Sequence, residues 1–385
     1  MAKILKFQKT IVVSAVNLKV GGTLTILRDC LQYLSQLAGE GEYRVVALVY
    51  QQALVDYPNI EYIEDQWPKQ RWVNRLWFEY VSMSKISKTI GPVYLWFSLH
   101  DTTPNVVAER RAVYCHNPFP FYRWTWKECF YSPQIVLLAL FSKYIYQTNI
   151  HQNDLVIVQQ QWIKDAFKHM FNLSDDKVIV AVPDAPKVGV PSEKNTKTHQ
   201  DEYTFIYAAS SISHKNFECL CKATAILEQE GLIDFKLYIT IDGHEDGYSK
   251  WLMKNWGYLS AVNFIGFVDR ATLFDYYATC NCLIFPSKVE TWGLPISEFS
   301  AFHKPMLLAD LPYAHETAAG CKQVAFFDPD RPDILAGQMK SLIQGDASFL
   351  SPVPEQPRPS PVAHSWEELF HRLLQSSFNH GDQEI

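Results

Sequence analysis

Short apolar runs recur along the chain with little polar alternation inside them. In the first half they fall at Ile11–Val16, Val45–Val49, Tyr94–Ser98, Val113–Cys115, Asp154–Gln159 and Val178–Val182. In the second half they fall at Phe205–Ala208, Phe235–Thr240, Val262–Phe264, Cys282–Phe285, Pro305–Ala309 and Ala325–Phe327. Such runs predict strands buried on both faces, as in parallel sheets. Between them the apolar positions change to helical spacing. Leu24, Leu27, Leu31 and Leu34 predict a helix capped by Thr23 and running to about Leu37. Further helices are expected from Gln161, up to Leu227, and from Thr272, Pro332 and Ser365. Alternating strand and helix predicts an α/β fold.

The pattern breaks once, from Pro183 to Glu202, where prolines and polar residues replace any periodicity. The break divides the chain into two strand–helix blocks, residues 1–185 and 203–350, each long enough for a domain of its own. A stiff proline-rich stretch at 351–361 leads to a last helical segment at about 365–385.

Composition adds an asymmetry. Residues 1–185 carry 19 Lys and Arg against 16 Asp and Glu, and the remainder carries 16 against 25. Seven of the eleven Trp also lie in the first part. Two stretches mix aromatic and basic side chains: 67–97, with Trp67, Trp72, Trp77, Lys69, Arg71 and Arg75, and 118–146, with Phe119, Phe121, Tyr122, Trp124 and Trp126. Two readings stay open for them, an ordinary packed core or a peripheral face against a membrane. No apolar run is long enough to span a bilayer, and the first residues lack a cleavable signal pattern. The expected location is the cytoplasm, at the inner face of the membrane if those stretches dock. The eight Cys are scattered; Cys219/Cys221 and Cys280/Cys282 are too close for a zinc knuckle, so free thiols are expected.

Candidate chemistry concentrates in residues 282–302. A buried strand, Cys282–Phe285, leads through a loop carrying Glu290 into a helix that starts at Gly293-Leu294-Pro295 and carries Glu298. A helix start with unpaired N–H groups beside a strand end suits a phosphorylated ligand. Two more strand–loop–helix turns have similar character. One carries Gly21 and Gly22; the other carries Ser210, Ser211 and Lys215, where hydroxyls and a cation can hold a diphosphate. His100 and His116 each end a strand, where side chains point toward the ligand crevice of doubly wound folds. Asp328-Pro329-Asp330 is the one Asp-x-Asp and is read as capping the helix from Pro332, not as a metal pair.

Phe285-Pro286-Ser287, Glu290, Gly293-Leu294-Pro295 and Glu298 resemble the signature of retaining nucleotide-sugar glycosyltransferases of family 4, with the two glutamates at the family's spacing. The sequence departs at Thr291 and Trp292, where the family has Gly and Phe. The phosphate loop also lacks a second cation, an Arg that many members carry before the Lys. The resemblance implies the GT-B architecture: two Rossmann-like domains facing a cleft, with a C-terminal helix crossing back to the first. The first domain (1–185 plus the last helix) would bind acceptor and the second (203–350) the nucleotide sugar.

By that resemblance Glu290, His116 and Lys215 are catalytic. Gly21, Gly22, Ser210, Ser211, Val268, Thr291, Gly293, Leu294, Pro295 and Glu298 bind donor, and His100 and Asn117 face the acceptor. Glu298 would take the ribose hydroxyls, and the Gly266-Phe267-Val268 loop would lie on the base. The expected function is metal-independent, retaining hexosyl transfer in surface-polysaccharide synthesis. It would run from a UDP- or GDP-linked sugar to a glycan or polyprenyl-linked acceptor, with no cofactor, no metal and no nucleic acid. Two alternatives remain: a non-catalytic sugar-binding subunit on the same scaffold, or a sugar-nucleotide epimerase.

Overall fold

The computed structural model describes residues 8–19, 21–126, 128–183, 202–355 and 357–375. Its strands, in chain order, are β1 Lys9–Ala15, β2 Tyr43–Val49, β3 Ile60–Glu64, β4 Val93–Ser98, β5 Arg110–Tyr114, β6 Leu155–Val158, β7 Val178–Ala181, β8 Tyr203–Tyr207, β9 Phe235–Ile239, β10 Val262–Phe264, β11 Cys282–Phe285, β12 Met306–Ala309, β13 Val324–Phe327 and β14 Val362–Ala363. Chain contacts divide them into two compact units. One comprises Met1–His116, Tyr144–Asp184 and Arg358–Ile385; the other comprises Asn117–Lys143 and Ala185–Pro357.

The first unit holds an eight-stranded sheet in the order β14-β7-β6-β5-β4-β1-β2-β3, with every pairing parallel. The second holds a parallel six-stranded sheet in the order β10-β9-β8-β11-β12-β13. Counted from its own first strand, the second sheet runs 3-2-1-4-5-6 and the first has the same order extended by two further strands, the doubly wound order that opens a crevice where the order reverses. These reversals lie between β1 and β4 and between β8 and β11. Both units are Rossmann-like, as the strand–helix alternation predicts.

The apolar runs become strands because both faces are covered. In β1, Ile11, Val13 and Ala15 pack into one core cluster while Val12 packs into the other. The last helix, Trp366–Leu374, returns to the first unit as expected. Ser365 caps it, its side chain accepting from the Glu368 N–H at 3.2 Å. Leu369, Phe370 and Leu373 are buried, with Phe370 stacked on Tyr33 at 5.5 Å. Each such side chain contributes about 1.5–3 kcal/mol by leaving water, which is enough to hold a short helix far from its sequence neighbours. Residues 376–385 and most of the break at 183–202 lie outside the described residues.

The structure differs from the sequence reading in several places. The first helix spans Gly21–Gly39, so it begins at the glycines and Thr23 lies inside it. Strand β3 has no uninterrupted apolar run, since Glu61 and Glu64 break Ile60–Glu64 at a sheet edge. Pro312–Thr317 is a further helix between β12 and β13, and Pro at its first position suits that start. Residues 117–143, assigned by sequence to the first domain, pack in the second unit. The reason is aromatic: Tyr131 stacks on Trp251 at 4.7 Å and on Tyr248 at 5.4 Å.

Candidate functional site

The second unit builds its site at the β8/β11 reversal. The two strands are adjacent and parallel, pairing Cys282 with Phe205 and Leu283 with Ile206. Their following loops therefore leave the same edge. From β8 comes Ala208–Asn216, which carries Ser210, Ser211 and Lys215; from β11 comes the loop that carries Glu290. Lys215 Nζ reaches Glu290 Oε1 at 2.5 Å, with both side chains largely buried. Two candidates 75 residues apart are thus joined in one ion pair.

A hydrogen-bond lattice holds these loops. The Tyr207 hydroxyl donates to the Lys215 carbonyl at 2.8 Å and meets Ser287 Oγ at 2.9 Å. Ser287 must then be the donor to Tyr207, while its own carbonyl accepts from the Tyr313 hydroxyl at 2.7 Å. Asn216 occupies the left-handed region at φ 58°, a conformation Asn tolerates better than most residues. Its amide donates to the carbonyls of Pro286 at 3.1 Å and Pro329 at 2.9 Å, which links the loops after β8, β11 and β13. Ser211 is held by Asp246 at 2.9 Å, and Ser210 is exposed.

Gly293 begins the next helix at φ 87°, where a side chain would be strained and a Cβ would stand 3.2 Å from Ile296. The helix is Leu294–Ser300, with Pro295 in its first turn. The Ile296 N–H bonds back to the Gly293 carbonyl at 2.9 Å, so it belongs to the turn. Trp292, one of the two departures from the family pattern, is buried. Its indole N–H donates to Ser297 Oγ at 3.2 Å and its carbonyl accepts from the Thr317 hydroxyl. Ser297 thereby satisfies the extra N–H that Trp brings where Phe has none. Thr291 sits beside it, half-buried.

Glu298 lies one helical face further on and is 3.4 Å from Arg270. Burial pushes its carboxyl above the usual carboxylate range, and Arg270 partly offsets the shift. Arg270 follows the Gly266–Val268 loop, so it joins the loop expected to meet the base to the carboxylate expected to meet the ribose. Gly266 is at φ 70°, its missing Cβ only 3.1 Å from Asp242 Oδ2, and Phe267 is 90% exposed. Asp328 and Asp330 do not cap the helix Pro332–Ile343, contrary to expectation. Asp328 Oδ1 accepts from the Asp330 N–H at 2.9 Å, and Asp330 pairs with Lys288 at 2.7 Å. Among the described residues no three His, Cys, Asp or Glu cluster with metal-binding geometry.

In the first unit, the ends of β4 and β5 bring together Asp101 and His116, with His100 beside them in sequence. The Asp101 carboxylate accepts from the His116 N–H at 2.7 Å and stands 3.7 Å from His116 Nε2. That places Asp101, itself at φ 71°, as the group orienting His116. His100 is different. It is 1% exposed, with Nδ1 2.8 Å from Thr102 and Nε2 2.9 Å from Ser14. The Thr102 hydroxyl donates to Glu79 at 2.7 Å, so His100 Nδ1–H must donate to Thr102. Burial lowers its pKa and keeps it neutral. With both nitrogens engaged it supports the loop and presents nothing to an acceptor, which corrects the sequence assignment. Asn117 caps the following turn, its Oδ1 accepting from the Phe119 N–H at 3.0 Å. Gly22 lies in the first turn of the helix that Gly21 opens.

The sequence alone assigns no role to Asn216, Ser287, Arg270 and Asp101. Asn216 and Asp101 had a legible signal, since each is an Asx residue directly after a candidate and can adopt left-handed φ. Ser287 and Arg270 act through partners 80 and 28 residues distant, which no local pattern marks.

Residues 191–352 match the family model described as glycosyl transferases group 1. Among curated proteins, the chain is 22% identical over 269 residues to the O-antigen chain mannosyltransferase RfbU of Salmonella typhimurium, covering 69% of each. Among solved structures it is similar to the sucrose-phosphate synthase of Thermosynechococcus elongatus, with TM-score 0.63, 14% identity and coverage of 89% and 91% of the two chains. It is also similar to Anabaena HepE in complex with UDP-glucose, with TM-score 0.58, 16% identity and coverage of 88% and 92%. The structural likenesses establish the fold, that of the two-domain GT-B enzymes. The family model and the curated relative support a glycosyltransferase.

Proposed function

We propose that this chain is a retaining, metal-independent hexosyltransferase. It would transfer a sugar from a nucleoside diphosphate to a glycan or polyprenyl-linked acceptor in surface-polysaccharide synthesis. The observation that carries the reading is the Lys215–Glu290 pair at the β8/β11 reversal. A cation and a carboxylate stand together where a doubly wound sheet receives its ligand.

The reaction breaks the bond between the sugar C1 and the diphosphate oxygen, which departs with the electron pair. The acceptor oxygen bonds to C1 and its hydroxyl gives up a proton. Charge therefore grows on the leaving diphosphate. Lys215 and the hydroxyls of Ser210 and Ser211 stabilise it, together with backbone N–H groups at Gly293-Leu294. Glu290 orients the sugar hydroxyls and faces the positive character developing at C1. Glu298 accepts from the ribose, and Val268, Thr291 and Pro295 shape the wall beside it. In the first unit, Gly21, Gly22 and His116, oriented by Asp101, are the candidates for ligand contact. UDP and GDP both remain candidates for the carrier.

The test is release of nucleoside diphosphate from a panel of UDP- and GDP-sugars, with and without excess EDTA. Donor turnover that persists undiminished in chelator is expected. Loss in EDTA with rescue by magnesium or manganese would overturn the metal-free reading. Turnover that interconverts sugars without releasing nucleotide would favour an epimerase.

Membrane contact is a separate part of the proposal. Trp126 and Phe130 are exposed, as are Leu137, Leu140 and Phe141 along one face of the helix Pro133–Gln147. Among the described residues of 122–143, the exposed charges are Arg123 and Lys143, while the carboxylate Glu128 is buried. An apolar face flanked by cations suits anionic lipid. No described helix is long and apolar enough to cross a membrane. The protein should co-sediment with phosphatidylglycerol vesicles, and Phe130→Ser with Trp126→Ser should release it. Equal sedimentation with and without vesicles would end the proposal.

A further inference from the structure

The segment that leaves the first half of the chain to join the second unit grips the loop bearing Lys215 from both sides. Phe119 meets the His214 ring edge-on at 5.3 Å and 89°, and Tyr122 meets it at 5.9 Å and 68°. Phe119 and Tyr122 also meet each other edge-on at 6.4 Å. The Tyr122 hydroxyl donates to Glu128, whose other oxygen accepts from the Thr125 N–H at 2.9 Å. Further along, the Tyr131 hydroxyl donates to Glu218 at 3.1 Å. His214 and Glu218 flank Lys215 in sequence, so the loop is clamped just before and just after its cation.

We infer that Phe119 and Tyr122 are positioning residues for the Lys215 loop and hold it in the conformation that receives a diphosphate. This deepens the donor-binding reading and rests on it. A lysine on a four-carbon stem gains little from a diphosphate if its loop must first be ordered, at about 1–2 kcal/mol for each backbone residue fixed. Clamping the loop in advance removes that cost and raises the binding-competent fraction.

The clamp also sets charge. His214 is buried and held neutral, by burial first and by Lys215 second. The charged groups around it are Lys215 beside it, Lys288 (whose backbone N–H donates to the His214 carbonyl at 2.8 Å), Glu290 on Lys215, and Glu128 behind Tyr122. With part of its aromatic cover removed, the burial that disfavours its charge is relieved and His214 gains a proton more readily than in wild type, against the opposing charge of Lys215.

The experiment compares wild type with Tyr122→Ala, Tyr122→Phe and Phe119→Leu. UDP and GDP binding would be measured by calorimetry at pH 6 and pH 8, and amide hydrogen exchange would be followed over residues 209–216. Tyr122→Ala should weaken nucleotide binding by about tenfold and speed exchange in that stretch. Its affinity should also differ between the two pH values more than that of wild type. Tyr122→Phe, which keeps a ring against His214, should recover most of the affinity. If Tyr122→Ala does not fold, Phe119→Leu carries the same expectations at smaller size. Unchanged exchange and affinity, with only a lower unfolding midpoint, would overturn the positioning role. Failure of wild type to bind either nucleotide would overturn the donor reading as well.

Discussion

Replacing Lys215 with Ala is expected to cut nucleoside diphosphate release by about two to three orders of magnitude, the usual cost of removing one preorganised charge from a site where charge develops. The structure gives this residue two functions at once. Its ammonium is the cation of the β8 loop and the partner of Glu290 at 2.5 Å. Before it the loop carries no second cation, since Ala208, Ala209, Ser210 and Ser211 occupy it. The remaining charge should therefore dominate. Lys215→Ala also leaves Glu290 without its pair in a largely buried place, and breaking a buried pair costs about 3–5 kcal/mol. The variant should be less stable as well as less active. Lys215→Arg separates these effects. It keeps the charge and should restore stability, but a planar guanidinium places its donors differently and should restore only part of the turnover. Initial rates and unfolding midpoints on the three proteins decide it. A Lys215→Ala enzyme within threefold of wild type would remove this residue from the chemistry.

Glu298→Ala is expected to weaken donor binding with a smaller effect on the chemical step. A carboxylate accepting hydroxyl hydrogen bonds contributes about 1.5–3 kcal/mol, which corresponds to about 10- to 150-fold in dissociation constant. The residue also predicts a pH dependence. Its carboxyl is raised by burial, and Arg270 at 3.4 Å only partly offsets the shift. Only the ionised form accepts from both ribose hydroxyls. Wild-type affinity should therefore fall as pH drops from neutrality into the range just above that of an ordinary carboxylate, while the Ala variant should keep only the smaller pH dependence that comes from protonation of the nucleotide's own terminal phosphate. Folding stability moves the opposite way. A carboxyl raised in the folded state holds its proton there more tightly than in the unfolded chain, so its contribution is lost as pH rises through the folded value. Calorimetric titration of nucleoside diphosphate between pH 5 and pH 8 separates the two. Unchanged affinity in Glu298→Ala would show that the ribose binds elsewhere.

Much of the fold was legible because parallel strands buried on both faces leave uninterrupted apolar runs. Cys282–Phe285 and Val262–Phe264 were read to the residue, and the other predicted strands to within about three residues at either end. What escaped had a physical reason. β3 lies at an edge and is interrupted by Glu61 and Glu64, and β14 is two residues long at the end of the proline-rich stretch. The helix Gly247–Trp256 is marked by a capping box, Asp246 with Ser249, and not by its apolar spacing. The destination of residues 117–143 could not be read at all. Phe119, Tyr122 and Tyr131 pack inward on the second unit while Trp126 and Phe130 of the same short stretch face solvent. Composition marked the stretch as aromatic but could not say which rings were turned in.

The site followed the same division. Glu290, Glu298 and Lys215 stand out as candidates because strand–loop–helix turns reveal themselves locally. The Lys215–Glu290 contact depends on which strands are neighbours, and that is settled by the order of the sheet. His100 shows the converse error. A strand-end position suggested a ligand contact, yet Ser14, Thr102 and Glu79 enclose it within the first unit.

The central claim is that the loop after β8 binds the diphosphate of a nucleotide sugar through Lys215. Titration of UDP and GDP, without sugar or acceptor, onto wild type and Lys215→Ala tests it most directly. At least one nucleotide should bind wild type and bind the variant at least about tenfold more weakly, with the difference shrinking as salt is raised. Equal affinity for the two proteins, or no binding of either nucleotide to wild type, would contradict it.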